Sequence, residues 1–180
     1  MKQLSNASHQ QLRRLFWILL FINFLFIIGT GYYLRPLTSK DIVAFELARE
    51  LPVAEKIIHN WQSTGLLDKA RQSIYIDFVF IFLYIVSLSV AGIFIARLTK
   101  HELLIRSARL LLYLLIIAGI SDSIENIALL KNLYGTVSKL NVTLAYDMAA
   151  TKFSILILVV LFIAVCLVFW GLRKLTERRV

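Results

Sequence analysis

Cysteine, histidine and proline are scarce in this chain, and charge is kept to the edges of its long apolar runs. The single cysteine, Cys166, lies inside such a run, so no disulfide can form within the chain and the redox compartment stays open. The three histidines, His9, His59 and His101, are far apart, and neither a Cys/His framework nor an HExxH or GxSxG motif accompanies them. Those absences remove the readable signatures of zinc sites, metalloproteases and serine hydrolases. Cys166 reads as core, His59 as a surface histidine, and His9 and His101 as solvated. The Gly- or Pro-broken helix pairs that mark transporters are missing too.

Apolar sequence is abundant. Of 180 residues, 59% are hydrophobic and 17% charged, and the mean hydropathy is +0.75. Soluble domains run at about 45–50% apolar and about 25% charged. The length suits one domain. Apolar runs place membrane spans at about 15–34, 74–96, 104–130 (most apolar from Leu110) and 153–172. Each approaches the ~20 residues that cross a bilayer as a helix, and helices satisfy their own backbone in lipid. The first run continues through Tyr32-Tyr33, an interfacial anchor, and reads as a retained span rather than a signal peptide.

A net charge of +9 raises the question of nucleic acid, and the placement of the charges answers it. With both termini cytoplasmic, the inner side holds Lys2, Arg13, Arg14, Arg97, Lys100, Arg106, Arg109, Arg173, Lys174, Arg178 and Arg179, opposed by Glu102 and Glu177. The outer segments hold nine basic residues against six acidic ones. Dense basic clusters on short inner loops are the positive-inside pattern. The excess is a topology signal and a contact for lipid headgroups, and no nucleic-acid partner is expected.

Between the first two spans lie 39 outer residues, 35–73. Thr38 and Asp41 form a capping-box pattern. "DIVAFELARE" places Ile42, Phe45 and Ala48 on one helical face. Pro52 interrupts, and "VAEKIIHNWQS" resumes with Val53, Ile57 and Trp61 in register until Gly65 breaks it. Two or three short helices are expected here (38–72), forming a cap on the outer membrane surface. "RLTKHE" (97–102) is a tight inner turn that makes spans two and three antiparallel neighbours. Residues 131–150, with Gly135, Asn141 and Asp147, read as a longer polar loop. The predicted fold is therefore all-α: a four-helix transmembrane bundle with a short amphipathic helical cap.

The polar residues inside the spans carry the functional signal. In "GISDSIENIALL" (119–130), spacings of three and four put Asp122, Glu125 and Asn126 on one face. Asp122 lies about 12 Å below the outer end of its span, and Glu125 and Asn126 about 6–8 Å below it. Asp77 begins the neighbouring span at the same depth, followed down its face by Tyr84, Ser87 and Ala91. Gly92-x-x-x-Ala96 and Gly119-x-x-x-Ser123 permit close helix contact. Ionisable groups at this depth cost about 2.5–3.5 kcal/mol each on insertion scales, so cations or protons must neutralise them. The cations within reach are Arg35, His59, Arg71, Lys131 and Lys152. The bland alternative is polar glue, the acids pairing with a lysine or the cap. Below Asp122 its face is Ala118, Leu115 and Leu111, and spans one and four offer only Asn23, Ser154 and Cys166. A pocket open to the outer side therefore fits better than a conduit, which needs polar steps throughout.

Taken together, "IVAFELA" (42–48) with Trp61, Asp77 early in the second span, and "DxxEN" (Asp122, Glu125, Asn126) make the chain resemble a group of uncharacterised bacterial four-span integral membrane proteins. The resemblance covers roughly residues 40–130. It implies a bacterial inner-membrane location but neither an activity nor a cofactor, and it singles out Glu46 as pointing from the cap toward the acids. The expected ligand-binding set is thus Glu46, Asp77, Tyr84, Asp122, Glu125 and Asn126. A cationic or amphipathic small molecule, a lipid headgroup or a metal ion suits such a site, with Asp77, Asp122, Glu125 and His59 as conceivable donors. Two other classes stay open. One is an accessory subunit whose acids pair with a basic residue of a partner membrane protein. The other is a lipid-modifying enzyme using paired carboxylates.

Overall fold

The computed structural model describes residues 8–177. The inner-side charges Lys2, Arg178 and Arg179 lie outside them. Six helices account for the described fold: α1 (His9–Tyr33), α2 (Ser39–Glu46), α3 (Leu51–Ser63), α4 (Leu67–Thr99), α5 (Glu102–Tyr134) and α6 (Lys139–Glu177). There is no strand among the described residues. Helices α1, α4, α5 and α6 are each long and apolar enough to cross a membrane, which makes the chain a multi-pass membrane protein.

Local chemistry sets the helix ends. Ser8 caps α1 through a capping box with Gln11, whose N–H donates to Ser8 Oγ at 3.2 Å. Lys69 Nζ donates to the orphan carbonyl of Tyr33 at the other end, at 2.8 Å. Thr38 and Asp41 form the expected capping box on α2, and the Thr38 hydrogen bonds hold the Asp41 carboxyl below its ordinary range. Gly65, at φ 71°, ends α3 in a Schellman turn: Leu66 N–H donates to Trp61 O at 2.8 Å. α4 starts at Leu67, immediately after that turn. Its far end turns at Lys100, φ 57°, and α5 begins two residues later. Arg173 Nη1 donates to Thr99 O there at 2.7 Å, a positive charge on a helix C-terminus.

Helices α4, α5 and α6 form the packed centre, while α1 packs chiefly along α4. Leu12 is the one fully buried residue on α1. Apolar clusters stack along the central three helices. Near the cap, Phe45 and Trp61 pack with Ile74, Leu129, Leu133 and Val142. Mid-bundle, Leu111, Leu115 and Val159 meet. At the far end, Leu12, Phe94, Ala96, Ala108, Leu112 and Cys166 close the core.

Two expectations need correction. Residues 131–150 are not a loop: α5 runs to Tyr134, α6 begins at Lys139, and only 135–138 connect them. Asn141 and Asp147 are therefore helical. On α3 the buried face is Ala54, Ile58 and Trp61, and Val53 is 44% exposed. Pro52 starts that helix rather than interrupting one, as its missing N–H allows in a first turn. At about 100° per residue, positions seven apart stay within about 20°, whereas the eight from Val53 to Trp61 drift by about 80°.

Candidate functional site

Between the cap-end and mid-bundle apolar clusters lies one polar layer, with Lys152 at its centre. The stripe Val142, Ala145, Ala149 on α6 is fully buried, and Lys152 continues it at the next helical step, so its side chain points into the core. Lys152 Nζ reaches Asp122 Oδ1 at 2.8 Å, Glu125 Oε2 at 2.9 Å and Glu46 Oε2 at 3.4 Å. Three elements thus converge on one ammonium: α5 through Asp122 and Glu125, the cap helix α2 through Glu46, and α6 itself. Glu125 is fully buried, and Asp122, Lys152 and Glu46 are nearly so.

A second tier surrounds that centre. Tyr84 on α4 donates its hydroxyl to Asp122 Oδ2 at 3.1 Å. Asn126 Nδ2 donates to Asp77 Oδ2 at 2.8 Å, linking α5 to α4. Asp77 is half-buried. Four carboxyl groups therefore gather around one ammonium. Two of their buried oxygens, Glu46 Oε2 and Glu125 Oε2, lie near Lys152 as ion pairs but outside hydrogen-bonding geometry. Desolvation pushes the Glu46 carboxyl above its ordinary range despite the nearby Lys152 charge. A buried site with this balance attracts a proton or a further cation.

A cavity of about 900 Å³ opens onto the layer, walled by α1, α2, α4 and α6. Of the six expected residues, Glu46, Asp77, Tyr84 and Asp122 line it. Glu125 and Asn126 stand behind, holding Lys152 and Asp77 in place. Lys152 lines the cavity as well.

Among the cations weighed from sequence, Lys152 alone reaches the acidic centre. Arg71 donates to Leu133 O and pairs with Asp68. Arg35 lies over the Tyr32 ring, and Lys131 and His59 are exposed. One polar pair was not foreseeable: Asn23 Nδ2 on α1 donates to Ser87 Oγ on α4 at 2.6 Å, inside the cavity. Ser87 is visible in the sequence as part of the α4 stripe and Asn23 as the lone amide of its span, but no pattern joins them.

Chemically, the layer is a carboxyl-rich surface gathered on one ammonium. A metal ion suits it less: among the described residues, no three His, Cys, Asp or Glu side chains are placed to hold one. The Lys152 ammonium occupies the point on which the carboxylates converge. Searches for similar proteins found no family model, curated protein or solved structure that matches the chain.

Proposed function

We propose that this chain is a ligand-binding membrane protein, with an acidic pocket under its cap that takes a cationic or amphipathic small molecule or a lipid headgroup. The observation that carries this reading is a cavity whose wall presents the carboxyls of Glu46, Asp77 and Asp122 around Lys152. Specific pockets of this size pair a mostly apolar lining with a few placed polar groups. In the proposed orientation both termini are cytoplasmic and the cap faces outward, since Arg97, Lys100, Arg106, Arg109, Arg173 and Lys174 gather at the opposite end. A bacterial inner-membrane location rests on the family resemblance. The accessory-subunit reading loses ground, because the acids find their basic partner within the chain.

The test is ligand-induced thermal shift across cationic, zwitterionic, anionic and neutral amphiphiles. Wild type responds to the cationic and zwitterionic members, and the response is lost in Asp77→Asn with Glu46→Gln. An identical response in that variant would defeat the proposal.

A further inference from the structure

The cavity is long, and its openings differ. Its walls run along α1 from Phe16 to Gly31 and along α4 from Ser73 to Ala91. At 1.5 Å per residue that is about 23 Å on α1 and about 27 Å on α4, most of the ~30 Å of hydrocarbon in a bilayer. About 900 Å³ spread over that length makes it a slot rather than a chamber. Below the charged layer, the polar groups lining the described length toward Phe16 are Tyr84, Ser87 and Asn23. At the far end Leu12 and Phe16 share an apolar cluster with Phe162 and Ile163, which closes the slot.

Its side is open. Leu20 and Ile27 on α1 and Val160 on α6 line the cavity, yet they are 48%, 56% and 55% exposed. α1 packs chiefly on α4, and α6 packs on α4 and α5. A gap therefore runs between α1 and α6, within segments apolar enough to stand in lipid. In a bilayer, a gap at that depth would face hydrocarbon tails rather than water. The charge balance specifies the other end of the ligand: four carboxyls face one ammonium, and buried Glu46, which lines the slot, has an oxygen without a hydrogen bond.

Resting on the acidic-pocket reading above, we infer that the ligand is a lipid-soluble amine: a positively charged nitrogen on an extended hydrocarbon chain that enters sideways between α1 and α6. Its nitrogen lies against Glu46, Asp77 and Asp122, and its chain follows α1 and α4 toward Phe16. The chain stays in an apolar medium as it moves from bilayer to slot, so the selective interaction is at the nitrogen. The amine can come from a simple alkylamine or from an aminophospholipid headgroup, and what both present to the carboxyls is a primary ammonium.

The experiment uses the full-length protein in dioleoylphosphatidylcholine vesicles and an oleylamine analogue with a photoreactive group at the chain end. Labelling should saturate and favour Phe16, Leu19, Leu20 and Ala91, at the far end of the slot, at least tenfold over the lipid-facing residues Ile28 and Val168. Excess oleylamine should compete. Competition by dioleoylphosphatidylethanolamine as well assigns the amine to a phospholipid headgroup, and its absence assigns it to an alkylamine. Leu20→Trp with Val160→Trp, which obstructs the gap from its lipid side, should slow labelling at least fivefold. Unsaturable labelling spread equally over Ile28 and Val168, or equal competition by oleic acid, overturns the inference. The variant Asp77→Asn with Glu46→Gln separates the two levels. Undiminished chain labelling there overturns both the amine and the acidic pocket. An intact, acid-dependent response to cationic ligands in wild type, without chain labelling, overturns only the lipid route.

Discussion

In the cap half of the bundle, α4, α5 and α6 meet through Asp77, Asp122, Glu125, Asn126 and Lys152. In the far half the same helices meet through Ala96, Ala108, Leu112 and Cys166. The far half is an ordinary apolar core. The cap half places four carboxyls and one ammonium where the surrounding clusters are apolar on both sides. Buried ion pairs seldom stabilise more than well-packed apolar residues of the same volume. Such a layer costs more than an apolar seam would, and the cavity meets it on the side of α1 and α2.

The largest effect should come from breaking the cap half at its centre. Lys152→Met leaves Asp122, Glu125 and Glu46 without their cation and should cost about 3–5 kcal/mol in chemical denaturation from detergent. Adding Glu125→Gln should restore part of that loss. If Lys152→Met costs no more than a surface change, the layer is not an electrostatic unit. In the apolar zone, Leu115→Ala should cost about 2–5 kcal/mol through the cavity it leaves, and Glu125→Gln should not restore any of it.

Two glycines on the central helices sharpen the contrast. A side chain at Gly119, midway along α5 just below the charged layer, would collide with Ile85 and crowd Ile81. Gly119→Val should therefore cost about 1–3 kcal/mol by overpacking. A methyl group at Gly92 would meet no neighbouring atom within 4 Å, so Gly92→Ala should be neutral or stabilise by up to about 1 kcal/mol through helix propensity. Equal effects in thermal melts would erase the distinction.

A smaller, pH-dependent difference should trace to Glu46. Its folded carboxyl is raised above 4.5, so its stabilising contribution is fully present below that value and falls as pH rises through the raised one. Glu46→Gln should flatten that part of the Tm–pH curve, and parallel curves would contradict it. At the bottom of the scale, Glu102→Ala breaks only the exposed pair with Arg106 and should change stability by less than about 0.5 kcal/mol.

Much of this contrast was legible in the sequence, because it depends on spacing. Twenty-residue apolar runs announced the four long helices, Thr38 and Asp41 the cap helix, and "RLTKHE" the turn that makes α4 and α5 neighbours. The spacing of Asp122, Glu125 and Asn126 on one helix, and the depth of Asp77 on the next, placed those side chains near one another. Lys152 was visible only as one of five cations. Polar residues at 139–152 masked the start of α6, although Val142, Ala145, Ala149, Lys152, Val159 and Cys166 follow a sustained spacing of threes, fours and sevens. Reading that stripe as helical would have pointed Lys152 inward. A pocket beside the acids was expected from their spacing, but its run along α1 was not legible. It arises where α1 and α6 stay apart above the apolar cluster that Phe16 and Phe162 share, and no local pattern encodes a missing contact.

Calorimetric titration of the protein in lipid nanodiscs with dodecylamine tests the central claim most directly. The account predicts saturable uptake of one amine per chain, weakened at least tenfold in Asp77→Asn while the melting temperature holds. Non-saturating partition that is the same in both proteins would contradict it.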